Sequence, residues 1–103
     1  MKANKVYAII PAYNEEANII DIIKKTKKYL DKVVVVDDGS KDKTKELAEK
    51  ADAIVLRHLV NLGKGAALKT GCDYAVKKNA NFILLLMQML SITLKTFQGL
   101  LKN

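Results

Sequence analysis

The sequence predicts an α/β fold, a mostly parallel sheet of about four strands with helices on both faces. Two features carry the prediction. Short apolar or β-branched runs alternate with amphipathic stretches from Val6 to Leu86, the pattern of strand–helix–strand units joined by right-handed crossovers. Val33–Val36 is an uninterrupted valine run, as expected of a strand covered on both faces.

Taken in order, Val6–Ile10 reads as a buried strand ended by Pro11. The helix that follows is expected to start at Asn14, a good N-cap. Glu15 and Glu16 lie near the positive end of its dipole. Ile19, Ile20, Ile22, Ile23 and Leu30 supply its apolar face. Val33–Val36 is the second strand, closed by the turn Asp37-Asp38-Gly39-Ser40. Asp42–Ala51 reads as the second helix, with Leu47, Ala48 and Ala51 inward, and Ala53–Leu56 as the third strand. The glycine-bearing loop Asn61–Gly65 precedes a third helix, Ala66–Lys78, and Phe82–Leu86 is the fourth strand. Such sheets bind ligands beyond the carboxyl ends of their strands. Function is therefore sought in Pro11–Glu15, Asp37–Ser40, His58–Gly65 and the segment after Leu86.

Composition narrows the classes. The chain has 103 residues, half of them hydrophobic and 28% charged, which suits one small globular domain and excludes a disordered chain. Its net charge of +7 raises nucleic acid or an anionic lipid surface as partners. The lysines, however, fall in short pairs at helical spacing, as at Lys24-Lys25, Lys27-Lys28 and Lys77-Lys78. No aromatic residues alternate with them as a base-stacking platform requires, so no nucleic-acid partner is expected. The single Cys72 permits no internal disulfide and fits a reducing compartment. Set on a helix among Ala and Gly, it reads as a small buried residue rather than a nucleophile. The lone His58 cannot build a histidine metal cluster by itself. Pro11 and Asn14 interrupt the first apolar run, so no signal peptide is read, and Phe82–Met87 is too short to span a bilayer. A soluble, cytoplasmic protein is expected.

Three strand-end segments carry candidate chemistry. In Pro11-Ala12-Tyr13-Asn14-Glu15 the backbone can approach a flat ligand while Tyr13 offers a ring and a hydroxyl; a capped helix start with a surface tyrosine is the competing account. In Asp37-Asp38-Gly39-Ser40 two adjacent carboxylates repel, so at least one needs a positive or donor partner. A carboxylate here can accept from a base or a ribose hydroxyl, although a simple Asp-Gly turn explains the text as well. In Asn61-Leu62-Gly63-Lys64-Gly65-Ala66-Ala67 the glycines, the helix N-terminus and Lys64 can hold a diphosphate. Close packing of a small-residue helix accounts equally for Gly65, Ala66, Ala67 and Gly71.

In this order and spacing, the three segments resemble family 2 glycosyltransferases of the GT-A type, in particular the branch acting on polyprenyl (dolichyl) phosphate. The matching text is Ile-Pro-Ala-Tyr-Asn-Glu-Glu, Val-Val-Asp-Asp-Gly-Ser-Lys-Asp-Lys-Thr and Asn-Leu-Gly-Lys-Gly-Ala-Ala-Leu-Lys-Thr-Gly. The resemblance implies the nucleotide-binding half of a Rossmann-like fold. It implies a nucleoside pocket lined by Pro11, Ala12, Tyr13 and Glu15, with Asp38 reading the base, Asp37 beside it and Lys64 near the diphosphate or sugar. It further implies inverting transfer of a hexose from a UDP- or GDP-linked donor to a polyprenyl phosphate at the cytoplasmic membrane face, assisted by Mg²⁺ or Mn²⁺. A catalytically inactive nucleotide-binding remnant is the alternative.

The resemblance breaks after the fourth strand. The family places an Asp-x-Asp metal site there, whereas this sequence reads Leu86-Met87-Gln88-Met89-Leu90-Ser91-Ile92-Thr93. All eleven acidic residues precede residue 74. Read one base earlier, the codons of Met87-Gln88-Met89 permit Asp-Ala-Asp, and the following codons permit Ala-Gln-His-His-Pro, the family's text. A single-base slip near Leu86 is therefore expected, a natural divergent tail with Leu90, Leu94 and Phe97 on a short apolar helix face being the alternative. Either way the chain divides into a nucleotide-sugar-binding half-domain, 1–86, and an atypical tail, 87–103. That tail would lack the metal ligands, and no catalytic residue is assigned. An apolar fourth strand left at the sheet edge leads to the expectation of a homodimer or of poor solubility.

Overall fold

The computed structural model describes residues 5–86. Within them the apolar runs become four strands, β1 (Val6–Ala12), β2 (Lys32–Asp38), β3 (Ile54–His58) and β4 (Phe82–Leu85). Three helices separate them: α1 (Ile19–Lys27), α2 (Thr44–Lys50) and α3 (Lys64–Lys77). The sheet order is β3-β2-β1-β4 and every pairing is parallel, so the described sheet is wholly rather than mostly parallel.

β1 and β2 occupy the centre, where both faces are covered and six of the seven residues of each are buried, whereas the wholly apolar β4 lies at the edge of the described sheet with Phe82 and Leu85 exposed. Ala8, Ile10, Val33 and Val35 pack against Ile19, Ile22 and Ile23 of α1 and Ala48 of α2. Ile9, Val34 and Val36 face the other way, against Ala67 and Ala75 of α3. Alternation along each strand assigns successive residues to opposite helical layers. Gly71 permits the close approach of α3, since a Cβ there would lie 2.3 Å from Ile9 Cγ2. Gly65, by contrast, has nothing within 4 Å of that position. Packing therefore explains Gly71 and Ala67 but not Gly65. Cys72, beside Gly71, is only partly buried.

Several element boundaries differ from expectation, among them the end of β2 at Asp38, the start of α2 at Thr44, the end of β3 at His58 and the start of α3 at Lys64. Two further differences have a physical reason in the hydrogen bonds. β1 does not stop at Pro11: Pro11 pairs with Val36 and Ala12 with Asp37. Leu86 N donates to Ile9 O at 2.9 Å, and by strand alternation Pro11 turns its nitrogen to that same side. Its missing N–H costs the ladder to β2 nothing. Asn14 is not the N-cap of α1. It adopts a left-handed φ of 52°, which asparagine tolerates, and the helix starts only at Ile19 after a turn in which Glu15 O accepts the N–H groups of Asn18 and Ile19. The other two helices end as their sequence allows. Asp52 and Asn79 take φ values of 67° and 62°, and Ala53 N and Ala80 N reach back to Ala48 O and Ala75 O, the Schellman arrangement.

The contrast between the two glycines of α3 is testable by urea unfolding. Gly71→Ala is expected to destabilise by about 1–3 kcal/mol through overpacking against Ile9, whereas Gly65→Ala should leave stability unchanged or slightly raised.

Candidate functional site

Parallel register brings the carboxyl ends of β1, β2 and β3 to one edge, with Ala12 opposite Asp37 and Asp38 opposite His58. The loops after β1 and β2 are then joined by reciprocal hydrogen bonds. Asn14 N donates to Ser40 Oγ and Glu15 N to Thr44 Oγ1, both at 2.8 Å, and Glu16 N donates to Asp42 Oδ2 at 3.2 Å. In return Asn14 Oδ1 accepts from Lys41 N and Glu16 Oε1 from Lys43 N. These partners explain why Asn14 and Glu16 leave the helix start predicted for them.

The adjacent carboxylates avoid repulsion by facing opposite layers. Asp37 is fully buried on the α2 side. Its Oδ1 accepts from Ser40 N at 3.0 Å, while Oδ2 has no hydrogen bond and is balanced by Arg57 Nε at 3.6 Å. Asp38 faces the α3 side. Its Oδ1 accepts from His58 Nδ1 at 2.8 Å and Leu62 N at 2.9 Å, and its Oδ2 from Gly63 N at 2.8 Å. Burial is the largest influence on Asp38 and pushes its pKa up. The Leu62 N–H, the His58 imidazole and the Gly63 N–H together outweigh it, leaving the carboxyl below its ordinary value. Asp38 is thus ionised at neutral pH. A carboxylate offers about four lone-pair directions. Asp38 uses three of them on described partners, which leaves one on Oδ2 for a ligand donor.

The turn itself demands Gly39. Its φ is 77°, and a Cβ there would sit 2.6 Å from both Asn61 N and Val60 C. The β3–α3 loop thus lies directly on the β2 turn, where Asn61 Nδ2 also donates to Asp38 O at 3.3 Å.

These loops enclose a cavity of about 420 Å³, within the usual size range of small-molecule sites. Six of the residues singled out from the sequence line it together: Pro11, Ala12, Tyr13, Glu15, Asp38 and Lys64. Asp37 lies outside it, buried in the opposite layer. Asn61 and Gly63 also line the cavity; Gly63 was read from the sequence as one of the glycines able to hold a diphosphate, whereas Asn61 was placed only in the loop. A second cavity, about 730 Å³, lies on the α2 side and shares Tyr13 and Asn61 with the first. Its Asp42 and Arg57 are already engaged in holding the loops. His58 was placed in a strand-end segment and Thr70 in the family-like text, but neither was given a role in the site. The available signal was positional: His58 ends the strand that pairs beside Asp38.

Among the described residues no group of three or more His, Cys, Asp or Glu side chains is placed to hold a metal ion. Within the cavity Asp38 is already committed to three N–H donors. The described residues do not by themselves fit Mg²⁺ or Mn²⁺. Met87–Asn103, on which the expected loss of Asp-x-Asp and the proposed reading-frame slip fall, lies outside the described residues. No described helix is long and apolar enough to cross a membrane.

A parallel sheet with helices on both faces and a cavity at its strand ends defines an α/β protein of the doubly wound, open-sheet class. Residues 7–87 match glycosyl transferase family 2, and the chain belongs to that family. An uncharacterised protein of Methanocaldococcus jannaschii is 47% identical over 74 residues, covering 71% of this chain and 30% of the relative. A dolichyl-phosphate beta-glucosyltransferase of Trichomonas vaginalis is 41% identical over 80 residues, covering 62% of this chain and 25% of the relative. Glucosyl-3-phosphoglycerate synthase of Mycobacterium tuberculosis, solved with Mn²⁺, UDP and glucosyl-3-phosphoglycerate, superposes with a TM-score of 0.67 at 25% identity, covering 82% of this chain and 33% of that one. That likeness identifies the architecture as GT-A. The chain spans about a third or less of the length of these proteins.

The electrostatics of Asp38 give a pH prediction. Its folded pKa is depressed, so its stabilising contribution is present above the unfolded carboxylate value and is lost as pH falls through the folded value. Asp38→Asn should therefore be less stable than wild type at neutral pH. The two denaturation midpoints should converge as pH drops below the ordinary carboxylate range.

Proposed function

We propose that the strand-end cavity binds the nucleoside diphosphate of a sugar donor, and that the chain supplies the donor-binding part of a hexosyltransferase. The observation that carries this reading is the meeting of Tyr13, Asp38 and Lys64 on one cavity. The remaining lone pair of Asp38 suits the ring N–H of a uracil or guanine base, and Tyr13 offers its ring face to the base or ribose. Lys64 and the N-terminus of α3 suit the diphosphate. Gly63 and Gly65, with open space around them, let phosphate oxygens approach the backbone. The solved relative that holds UDP and Mn²⁺ supports a nucleoside diphosphate as ligand.

The acceptor is proposed to be a polyprenyl phosphate, on the strength of the dolichyl-phosphate glucosyltransferase relative. Such an acceptor is a membrane lipid, and the cytoplasmic face of the membrane is the proposed place of the reaction. Self-association belongs to the same reading. Among the described residues β4 is a sheet edge, with Phe82 and Leu85 exposed, and light scattering of the chain is expected to give the mass of a dimer; a monomer would dismiss that part.

Calorimetric titration with UDP, GDP and uridine, each with and without Mn²⁺, tests the central claim. UDP or GDP is expected to bind. Lys64→Ala should weaken the diphosphate by about tenfold and leave uridine unaffected. Equal loss for both ligands would remove Lys64 from the diphosphate subsite, and absence of binding by both diphosphates would overturn the reading. Binding without hexose transfer to a polyprenyl phosphate would favour the non-catalytic remnant.

A further inference from the structure

His58 is the chain's only histidine. It ends β3, an edge strand among the described residues, yet its side chain is only 11% exposed. Both ring nitrogens are engaged: Nδ1 meets Asp38 Oδ1 and Nε2 meets Thr70 Oγ1, each at 2.8 Å. The proton positions follow from the partners. Ionised Asp38 can only accept, so Nδ1 carries the proton, and in the neutral ring Nε2 accepts from the Thr70 hydroxyl.

These contacts close a circuit. Thr70, in the middle of α3, holds His58 on β3; His58 holds Asp38 on β2. Asp38 in turn holds the N–H groups of Leu62 and Gly63, the residues that lead directly into Lys64 at the start of α3. His58 does not line the cavity. It fixes the rotation of the Asp38 carboxylate, and with it both the direction of the unused Oδ2 lone pair and the place of the loop. Remove the Nδ1 donor and Oδ1 keeps only Leu62, so the carboxylate can turn and the loop amides lose a fixed acceptor.

We propose that His58 is a positioning residue of the nucleotide site, acting through Asp38 on the 61–63 loop; its effect on a ligand rests on the function proposed above, its effect on the loop does not. A buried histidine that merely fills space would make no distinction between its two nitrogens. The substitutions can. His58→Asn places an amide N–H near Nδ1 and keeps the bond to Asp38, while His58→Gln reaches towards Thr70 and leaves Asp38 without that donor. His58→Ala removes both.

The test combines three measurements on the full chain. Long-range ¹H–¹⁵N spectra of the single imidazole should show the proton on Nδ1. Amide exchange at Leu62 and Gly63 should stay slow in wild type and His58→Asn and become at least about tenfold faster in His58→Gln and His58→Ala, with Val34–Val36 unchanged. UDP affinity should fall by about tenfold in the latter two and by less than about threefold in His58→Asn. A proton on Nε2 with none on Nδ1, unchanged Leu62 and Gly63 exchange in His58→Gln, or equal loss of affinity in all three variants alongside equal loss of thermal stability would overturn the proposal. If wild type binds no UDP, the nucleotide reading fails by itself, and the exchange data decide the role of His58 in the loop.

Discussion

The carboxylate of Asp38 is the constraint on which the cavity depends. It is nearly buried at the end of a fully covered strand, where an ion without partners would be expensive. Three N–H donors from two other segments make it tolerable, and by doing so they fix where those segments run. The β3–α3 loop is placed less by its own turn propensities than by the need of one anion for donors. Gly39 completes the arrangement, because any side chain there would strike the same loop.

The opposite orientation of Asp37 shows how one strand serves two purposes. Alternation sends consecutive carboxylates to different helical layers, one into the turn under Arg57 and the other to the cavity wall. What reads in sequence as an acidic pair is, in space, two unrelated sites separated by the thickness of the sheet.

Much of this fold was legible before the structure. Hydrophobic periodicity and the valine run identified the strands and the helices on both faces of the sheet, because burial on both faces demands continuous apolar text. The strand order, which puts the apolar β4 at the edge of the described sheet, was not readable in that way. The misreadings were local. Asn14 looks like a helix cap by composition, but the cross-loop N–H of Lys41 takes its side-chain oxygen, and residue type alone cannot reveal a partner so distant along the chain. Pro11 looks like a strand terminator, and its tolerance depends on which side of the strand its nitrogen faces. The strand-end residues of the cavity followed from topology. The Asp38–His58–Thr70 relay did not, since it requires knowing that β3 pairs beside β2 and that α3 folds back over both.

The bonds that join the β1 and β2 loops also have a mechanical consequence. Backbone and side-chain groups of residues 14–16 and 40–44 interlock, so that side of the cleft behaves as a fixed jaw. The opposing jaw, residues 59–63, bears Leu59, Val60 and Leu62, each more than half exposed, and its described ties to the fixed side converge on Asp38 and the Gly39 turn. The two jaws are thus tied at one place, so that a change at Asp38 or Gly39 reaches the whole 59–63 segment while the bonds between residues 14–16 and 40–44 stay intact.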